Sequence, residues 1–141
     1  MSTCWNLNQQ DGSDFPNAFA LSNDCGRSWS PVRSTGIRGQ STALTPLPDG
    51  GALFLYNQRK HGPPGVWMAR VHPTAEDFGI ESNERVWAAP EPPKVAGHSQ
   101  WTSFSFGEPS AVLLPDGTIL LVFWCIQTDA RGIRYARLRP C

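Results

Sequence analysis

Gly39-Gln-Ser-Thr-Ala-Leu-Thr-Pro-Leu-Pro-Asp-Gly-Gly-Ala-Leu-Phe-Leu-Tyr56 and Gly107-Glu-Pro-Ser-Ala-Val-Leu-Leu-Pro-Asp-Gly-Thr-Ile-Leu-Leu-Val-Phe-Trp124 read alike. Their turns, Pro48-Asp49-Gly50 and Pro115-Asp116-Gly117, stand 67 residues apart. A later pair, Gly65-Val-Trp-Met-Ala-Arg-Val71 and Gly132-Ile-Arg-Tyr-Ala-Arg-Leu138, keeps that offset. Motifs that recur in one order at one spacing mark an internal repeat, and a period of this size points to solenoids, arrays or propellers.

Each unit reads as strand, tight turn, strand, polar loop, strand. Asp-Gly between two apolar runs is a hairpin signal, because Gly accepts positive φ and Asp bonds its own backbone nearby. Ala52–Tyr56 and Ile119–Trp124 are apolar at every position, the pattern of strands covered on both faces. Strands are expected near 41–46, 52–58, 66–71 and 84–88 in the full unit. The last unit supplies 109–114, 118–125 and 132–138. Upstream, Thr3–Leu7, Ala18–Ser22 and Ser30–Arg33 read as the tail of an earlier unit. No segment carries a sustained 3.6-residue period, so helix is expected to be nearly absent.

Composition agrees with short strands and many turns. Gly and Pro contribute 13 residues each, beside six Trp, seven Phe and two Tyr. Twelve Lys and Arg balance twelve Asp and Glu, which gives no electrostatic reason to expect nucleic acid or an anionic membrane. Ten of the twelve cations are Arg, a bias toward bidentate contacts with anionic groups. The longest apolar run, Ile119 to Ile126, is too short to span a bilayer as a helix. The opening residues resemble no secretory leader, and an even charge fits a cytosolic protein. The four cysteines, Cys4, Cys25, Cys125 and Cys141, are scattered without CxxC spacing. Neither a zinc site nor a disulfide framework is expected, and Cys125 reads as a small buried residue.

Ser22-Asn23-Asp24-Cys25-Gly26-Arg27-Ser28-Trp29 follows the pattern Ser-x-Asp-x-Gly-x-Ser/Thr-Trp. This is the Asp-box, or BNR repeat, and the chain resembles part of a sialidase-family β-propeller across nearly its whole length. The resemblance implies that the box lies in the turn between the third and fourth strands of a blade. Its residues are read as structural: Asp24 accepts from turn amides, Gly26 supplies a special φ, and Trp29 packs between strands. The next unit keeps Asp77 and Gly79 but has no Trp at the matching place. The fold expected is therefore all-β, a partial propeller of about two and a half four-stranded antiparallel blades. Residues 1–38 would end one blade, 39–106 form a complete one, and 107–141 an incomplete last one. Propellers close with four to eight blades, so two blade faces would stand bare. If each exposes on the order of 500 Å² of apolar surface, roughly 12 kcal/mol of burial is forgone per face. An isolated chain of this kind is expected to be marginal or self-associating.

The resemblance also implies where a site lies. Loops alternate between the two ends of a blade stack, so the Asp-box and the Pro-Asp-Gly turns share one end. The other end collects Arg38, Gln40, Asn57 through His61, Trp101, Glu108, Gln127, Asp129 and Arg131. Sialidases grip the sugar carboxylate with three Arg, use a Tyr–Glu pair as nucleophile and an Asp as acid. On that pattern Glu108 and Tyr56 are the catalytic candidates. Arg38, Gln40, Arg59, His61 and Trp101 are the substrate-binding ones, with no metal and no cofactor. Gly107-Glu108-Pro109 resembles the family's Glu position, but its unit has Trp124 where Arg is expected. Tyr56-Asn57-Gln58-Arg59 resembles the Arg position, but its unit begins with Gln40 in place of Glu. Each candidate has a plainer reading: Arg38, Arg59 and His61 as solvated loop residues, Glu108 as a loop-bonding carboxylate, Tyr56 and Trp101 as packing. The function expected is that of a fragment of a sialidase-like exo-glycosidase, inactive alone, whose ligand is a glycan or small acidic sugar. The alternative is a non-catalytic carbohydrate- or protein-binding propeller. Its other partners would be further blades or a second copy, and neither nucleic acid nor membrane.

Overall fold

The computed structural model describes residues 1–89, 105–127 and 130–139. Among the described residues ten strands form three antiparallel sheets and no helix occurs. The first sheet orders β1 (Ser2–Leu7), β2 (Asp14–Ala20) and β3 (Arg33–Ser34). The second orders β4 (Gln40–Pro46), β5 (Ala52–Gln58), β6 (Gly65–Val71) and β7 (Ile80–Ala88). The third orders β8 (Phe106–Leu113), β9 (Ile119–Gln127) and β10 (Ala130–Leu138). Every neighbour in a sheet is also next in sequence, as short turns between antiparallel strands require.

The repeat is reproduced atom by atom at the turns. Gly50 N–H donates to Leu47 O at 3.2 Å, and Gly117 N–H to Leu114 O at 2.9 Å. Both glycines take positive φ, 86° and 78°, the conformation a side chain resists. Asp49 Oδ1 accepts from Gly51 N–H and Asp116 Oδ1 from Thr118 N–H, each at 3.0 Å. The Arg of each Ala-Arg pair then closes the unit: Arg70 pairs with Asp49, and Arg137 with Asp116 at 2.8 Å. One turn chemistry thus fixes the register of both hairpins, since loop type sets pairing.

β5 is the centre of the molecule. All seven of its residues are buried, because successive side chains point to opposite faces and a sheet lies on each. Ala52, Phe54 and Tyr56 face the first sheet, with Phe19, Ile37 and Phe78. Leu55 joins Val66, Phe106, Leu121, Phe123 and Cys125 on the other side. Phe78 sits edge-on to Phe54 at 5.2 Å and near Phe19 at 5.0 Å. The loop that departs from the Asp-box pattern therefore contributes a core ring at the place Cys25 holds in the box.

Three expectations change. The run in β9 is covered on one face only: Ile119, Leu121, Phe123 and Cys125 are buried, whereas Leu120, Val122 and Trp124 are half-buried and Ile126 is exposed. No sheet lies beyond it among the described residues. The strand expected at Ser30–Arg33 shrinks to Arg33–Ser34, since Pro31 lacks the N–H a ladder needs. Trp29 is 49% exposed and does not pack between strands; its Nε1 donates back to Gly26 O at 3.1 Å. The rest of the box is as its sequence suggests. Asp24 accepts from Ser28 N–H and both the Ser22 and Ser28 hydroxyls, and these bonds, the Ser28 hydroxyl's first, hold its carboxyl down to about 2.

Candidate functional site

The loop leaving β5 fastens both neighbouring sheets and builds the polar end of the molecule. Gln58 Nε2 donates to Arg38 O at 2.9 Å, while its Oε1 accepts from His61 N–H at 2.8 Å and Lys60 N–H at 3.3 Å. One buried amide side chain so ties the approach to β4 to the exit from β5. From that knot His61 and Lys60 reach the first sheet and Arg59 reaches the third.

On the first side lies Asp14, whose side chain is 2% exposed. Its carboxylate accepts from Trp5 Nε1 at 2.9 Å, Gln40 Nε2 at 3.2 Å and His61 Nε2 at 2.8 Å, with Lys60 Nζ at 3.6 Å. Burial pushes the Asp14 carboxyl up, but donation from His61 and Trp5 and the charge of Lys60 outweigh it and hold the group below its ordinary value. An ionised carboxylate only accepts, so His61 presents Nε2–H to it and its ring is fixed in orientation. Beside this cluster opens a cleft of about 590 Å³ lined by Arg38, Tyr56, Gln58, His61, Asn83, Gly36, Ile37 and Pro16. Three of the residues singled out in the sequence, Arg38, Tyr56 and His61, meet there. Tyr56 gives its hydroxyl to Asn83 Oδ1 at 3.0 Å and stacks on Phe54 and Trp67. Desolvation raises its phenol above the usual value, only partly offset by Asn83.

On the other side lies Glu108. Its Oε1 accepts from the Ser41 hydroxyl at 3.1 Å, and its Oε2 from Trp124 Nε1. Arg59 donates to Phe106 O and lies over the Phe106 ring at 5.3 Å. Burial lowers the Arg59 guanidinium to about 10, while Glu108 acts to keep it charged. A Cβ on Gly107 would come within 2.6 Å of Arg59 and 2.8 Å of Trp124, so only glycine admits both side chains here. Glu108 and Arg59, which stand in different units of the sequence, are thereby brought together in space. Trp124 Nε1 is a donor to Glu108 from the third sheet's own hairpin.

The two catalytic candidates are not brought together. Tyr56 belongs to the core between the first and second sheets, Glu108 to the junction of the second and third. Gln40 is buried and serves Asp14. The position matching Glu108 at the 67-residue offset is Ser41, not Gln40. Ser41 and Glu108 share a positive φ, 48° and 45°, each inside a register shift of its strand pair, which is the signature of a β-bulge. Trp101, Asp129 and the loop between β7 and β8 lie outside the described residues. Asp14 and Trp5 were absent from the sequence reading; a lone Asp before Phe-Pro in a tail unit carries no spacing that marks it.

The Asp-box and a Pro-Asp-Gly turn lie at the opposite end, where Ser22, Asn23, Gly50 and Gly51 line one hollow. No protein-family model matches the chain, and no curated protein matches it. In fold it is similar to a crystal structure of a protein of unknown function from Dyadobacter fermentans, at a TM-score of 0.63 and 20% identity. The match covers 86% of this chain and 30% of that one, so the chain spans under a third of the length of its structural neighbour. The class is thus an all-β protein of small packed antiparallel sheets, and the likeness extends to fold alone.

Proposed function

We propose that this chain is a glycan-binding part of a sialidase-like propeller, and that its ligand is a small acidic sugar held in the cleft of Arg38 and His61. The observation that carries the reading is the meeting of Arg38, His61, Tyr56, Gln58 and Asn83 around one opening of about 590 Å³, a size usual for small-molecule sites. A guanidinium offers two parallel donors to a carboxylate. A His ring oriented by Asp14 and the amides of Gln58 and Asn83 suit hydroxyls, and the Tyr56 ring, packed on Phe54 and Trp67, forms a rigid wall behind them. The Asp-box, its bonding, and the twin hairpins support the propeller type.

Catalysis is the second reading for a longer protein, favoured by the placement of Arg59 beside Glu108. In this chain Glu108 accepts from Ser41 and Trp124 and bonds no phenol among the described residues, and Tyr56 carries a raised, hydrogen-bonded phenol in another contact set. Neither arrangement suits a nucleophile, which needs an adjacent base or a lowered pKa. Titration with N-acetylneuraminic acid and with glucuronate, followed by amide shifts, tests the proposal. Shifts confined to residues 36–38, 56–61 and 83, weakened roughly tenfold or more by Arg38→Ala, are expected. Shifts at the Glu108 junction instead, or none with any acidic sugar, overturn it. Release of 4-methylumbelliferone from sialosyl conjugates by this chain would transfer the argument to the catalytic reading.

A further inference from the structure

We infer that the cleft carries out β-elimination on a glucuronate unit, His61 taking the proton α to the sugar carboxylate and returning it to the departing glycosidic oxygen. The inference rests on the acidic-sugar reading of the same cleft and names the sugar and its chemistry. Among the described residues the lining offers one imidazole, His61, one guanidinium, Arg38, and no carboxylate. Hydrolysis by paired carboxylates needs two of them, and the Tyr56 hydroxyl is given to Asn83. Elimination needs no nucleophile. It asks for a base beside the α hydrogen and a cation on the carboxylate.

The His61 ring is held for that work. Its Nε2–H donates to Asp14 at 2.8 Å, and its backbone N–H donates to Gln58 Oε1 at 2.8 Å. Trp5 and Gln40 fix Asp14 in turn. The Asp14 side chain is 2% exposed and that of His61 28%, so the imidazole meets the cleft while its carboxylate stays behind it. With Nε2 engaged, Nδ1 is the lone pair left to a ligand. A buried carboxylate behind the ring steadies the positive charge it acquires on taking a proton. Arg38, exposed in the same cleft, presents two parallel donors to the sugar carboxylate. It also stabilises the charge that grows there as the α C–H bond breaks. The C–H pair becomes the new double bond, the β C–O bond breaks, and the Nδ1 proton passes to the leaving oxygen. No water or co-reactant enters. One ring acting as base and then acid works on one face of the sugar. In glucuronate the α hydrogen and the β oxygen share a face, whereas in galacturonate they lie on opposite faces. N-acetylneuraminic acid has no hydrogen on the carbon next to its carboxylate, so it binds without reacting.

Incubation of the chain with unsulfated chondroitin oligosaccharides, whose glucuronates are linked through that β oxygen, tests this. The expected products absorb in the ultraviolet through a double bond conjugated to the carboxylate, and their masses sum to that of the substrate. Oligogalacturonate is expected to give none. His61→Gln should lower the rate by about 10²–10⁴-fold, with an unchanged circular dichroism spectrum showing that the fold survives. Products that have gained a water, equal cleavage of oligogalacturonate, or an undiminished rate in His61→Gln overturn the inference. Glucuronate that shifts the cleft amides while the oligosaccharides yield no unsaturated product overturns elimination and leaves the sugar-binding reading standing. Absence of both binding and product overturns the two together.

Discussion

The second and third sheets are written in the same repeat and differ in their surroundings. Their turns match bond for bond, from the left-handed Gly50 and Gly117 to the Asp49–Arg70 and Asp116–Arg137 pairs. Their strands do not match in burial. β5 is enclosed throughout, and β9 is enclosed on alternate residues only. Local chemistry therefore sets the hairpin, while the value of each apolar side chain depends on whether a neighbouring sheet arrives. The same sequence pattern can be core in one unit and surface in the next.

The largest consequence is expected at Leu55 and its twin Val122. Leu55→Ala removes a fully buried side chain and should destabilise the chain by about 2–5 kcal/mol. Val122→Ala removes atoms already half in water and should cost about 1 kcal/mol or less. Urea denaturation of both variants measures the difference. Equal losses would mean that the third sheet is covered in solution.

A second contrast concerns the polar locks on either side of the β5 exit. Asp14 holds three donors and an ion pair with Lys60, its side chain 2% exposed, whereas Glu108 is an exposed carboxylate at the edge of the third sheet. Asp14→Asn keeps the shape but forfeits charge-assisted acceptance, and is expected to cost roughly 1.5–3 kcal/mol at neutral pH. The Asp14 carboxyl is depressed in the folded state. Its contribution is complete above the unfolded value of about 3.9 and drains as pH falls through the lower folded one. Stability of the parent chain should thus fall below about pH 4, and Asp14→Asn should remove that part of the slope. An identical acid slope in the variant would show that other carboxylates carry it.

Much of this contrast was readable in the chain itself. The Pro-Asp-Gly turns, the strands at 52–58 and 66–71 and the Asp-box bonding follow from residue types at fixed spacing, which act over a few positions. The cleft was half legible: Arg38, Tyr56 and His61 lie on one end because strand alternation places them there. Asn83, Asp14 and Trp5 were not, since they arrive from other strands through contacts that no local pattern encodes. β9 runs the other way: its unbroken apolar run suggests two covered faces, and the structure covers one. Periodicity reports what a strand can bury, and only the neighbouring sheet determines what it does bury. The pairing of Ser41 with Glu108 was missed for a related reason. Both units carry the bulge at the 67-residue offset, and Gly39-Gln40 imitates Gly107-Glu108 in type without sharing its place.

The smallest effect is the sharpest test of the claim that turns are independent of cover. Gly50 and Gly117 occupy the same left-handed position, and a Cβ at either meets nothing within 4 Å. Replacement by Ala therefore adds no clash and leaves only the backbone penalty of positive φ, about 1–2 kcal/mol. If hairpin chemistry is local, Gly50→Ala and Gly117→Ala should destabilise equally, although one turn serves the enclosed sheet and the other the open one. Unfolding free energies from denaturation that differ by more than about 0.5 kcal/mol would show that the enclosing sheets restrain the turn as well. In that event the twin bonds at Asp49 and Asp116 would be alike in geometry and unlike in strength, and the repeat would have to be read as cooperative across its sheets.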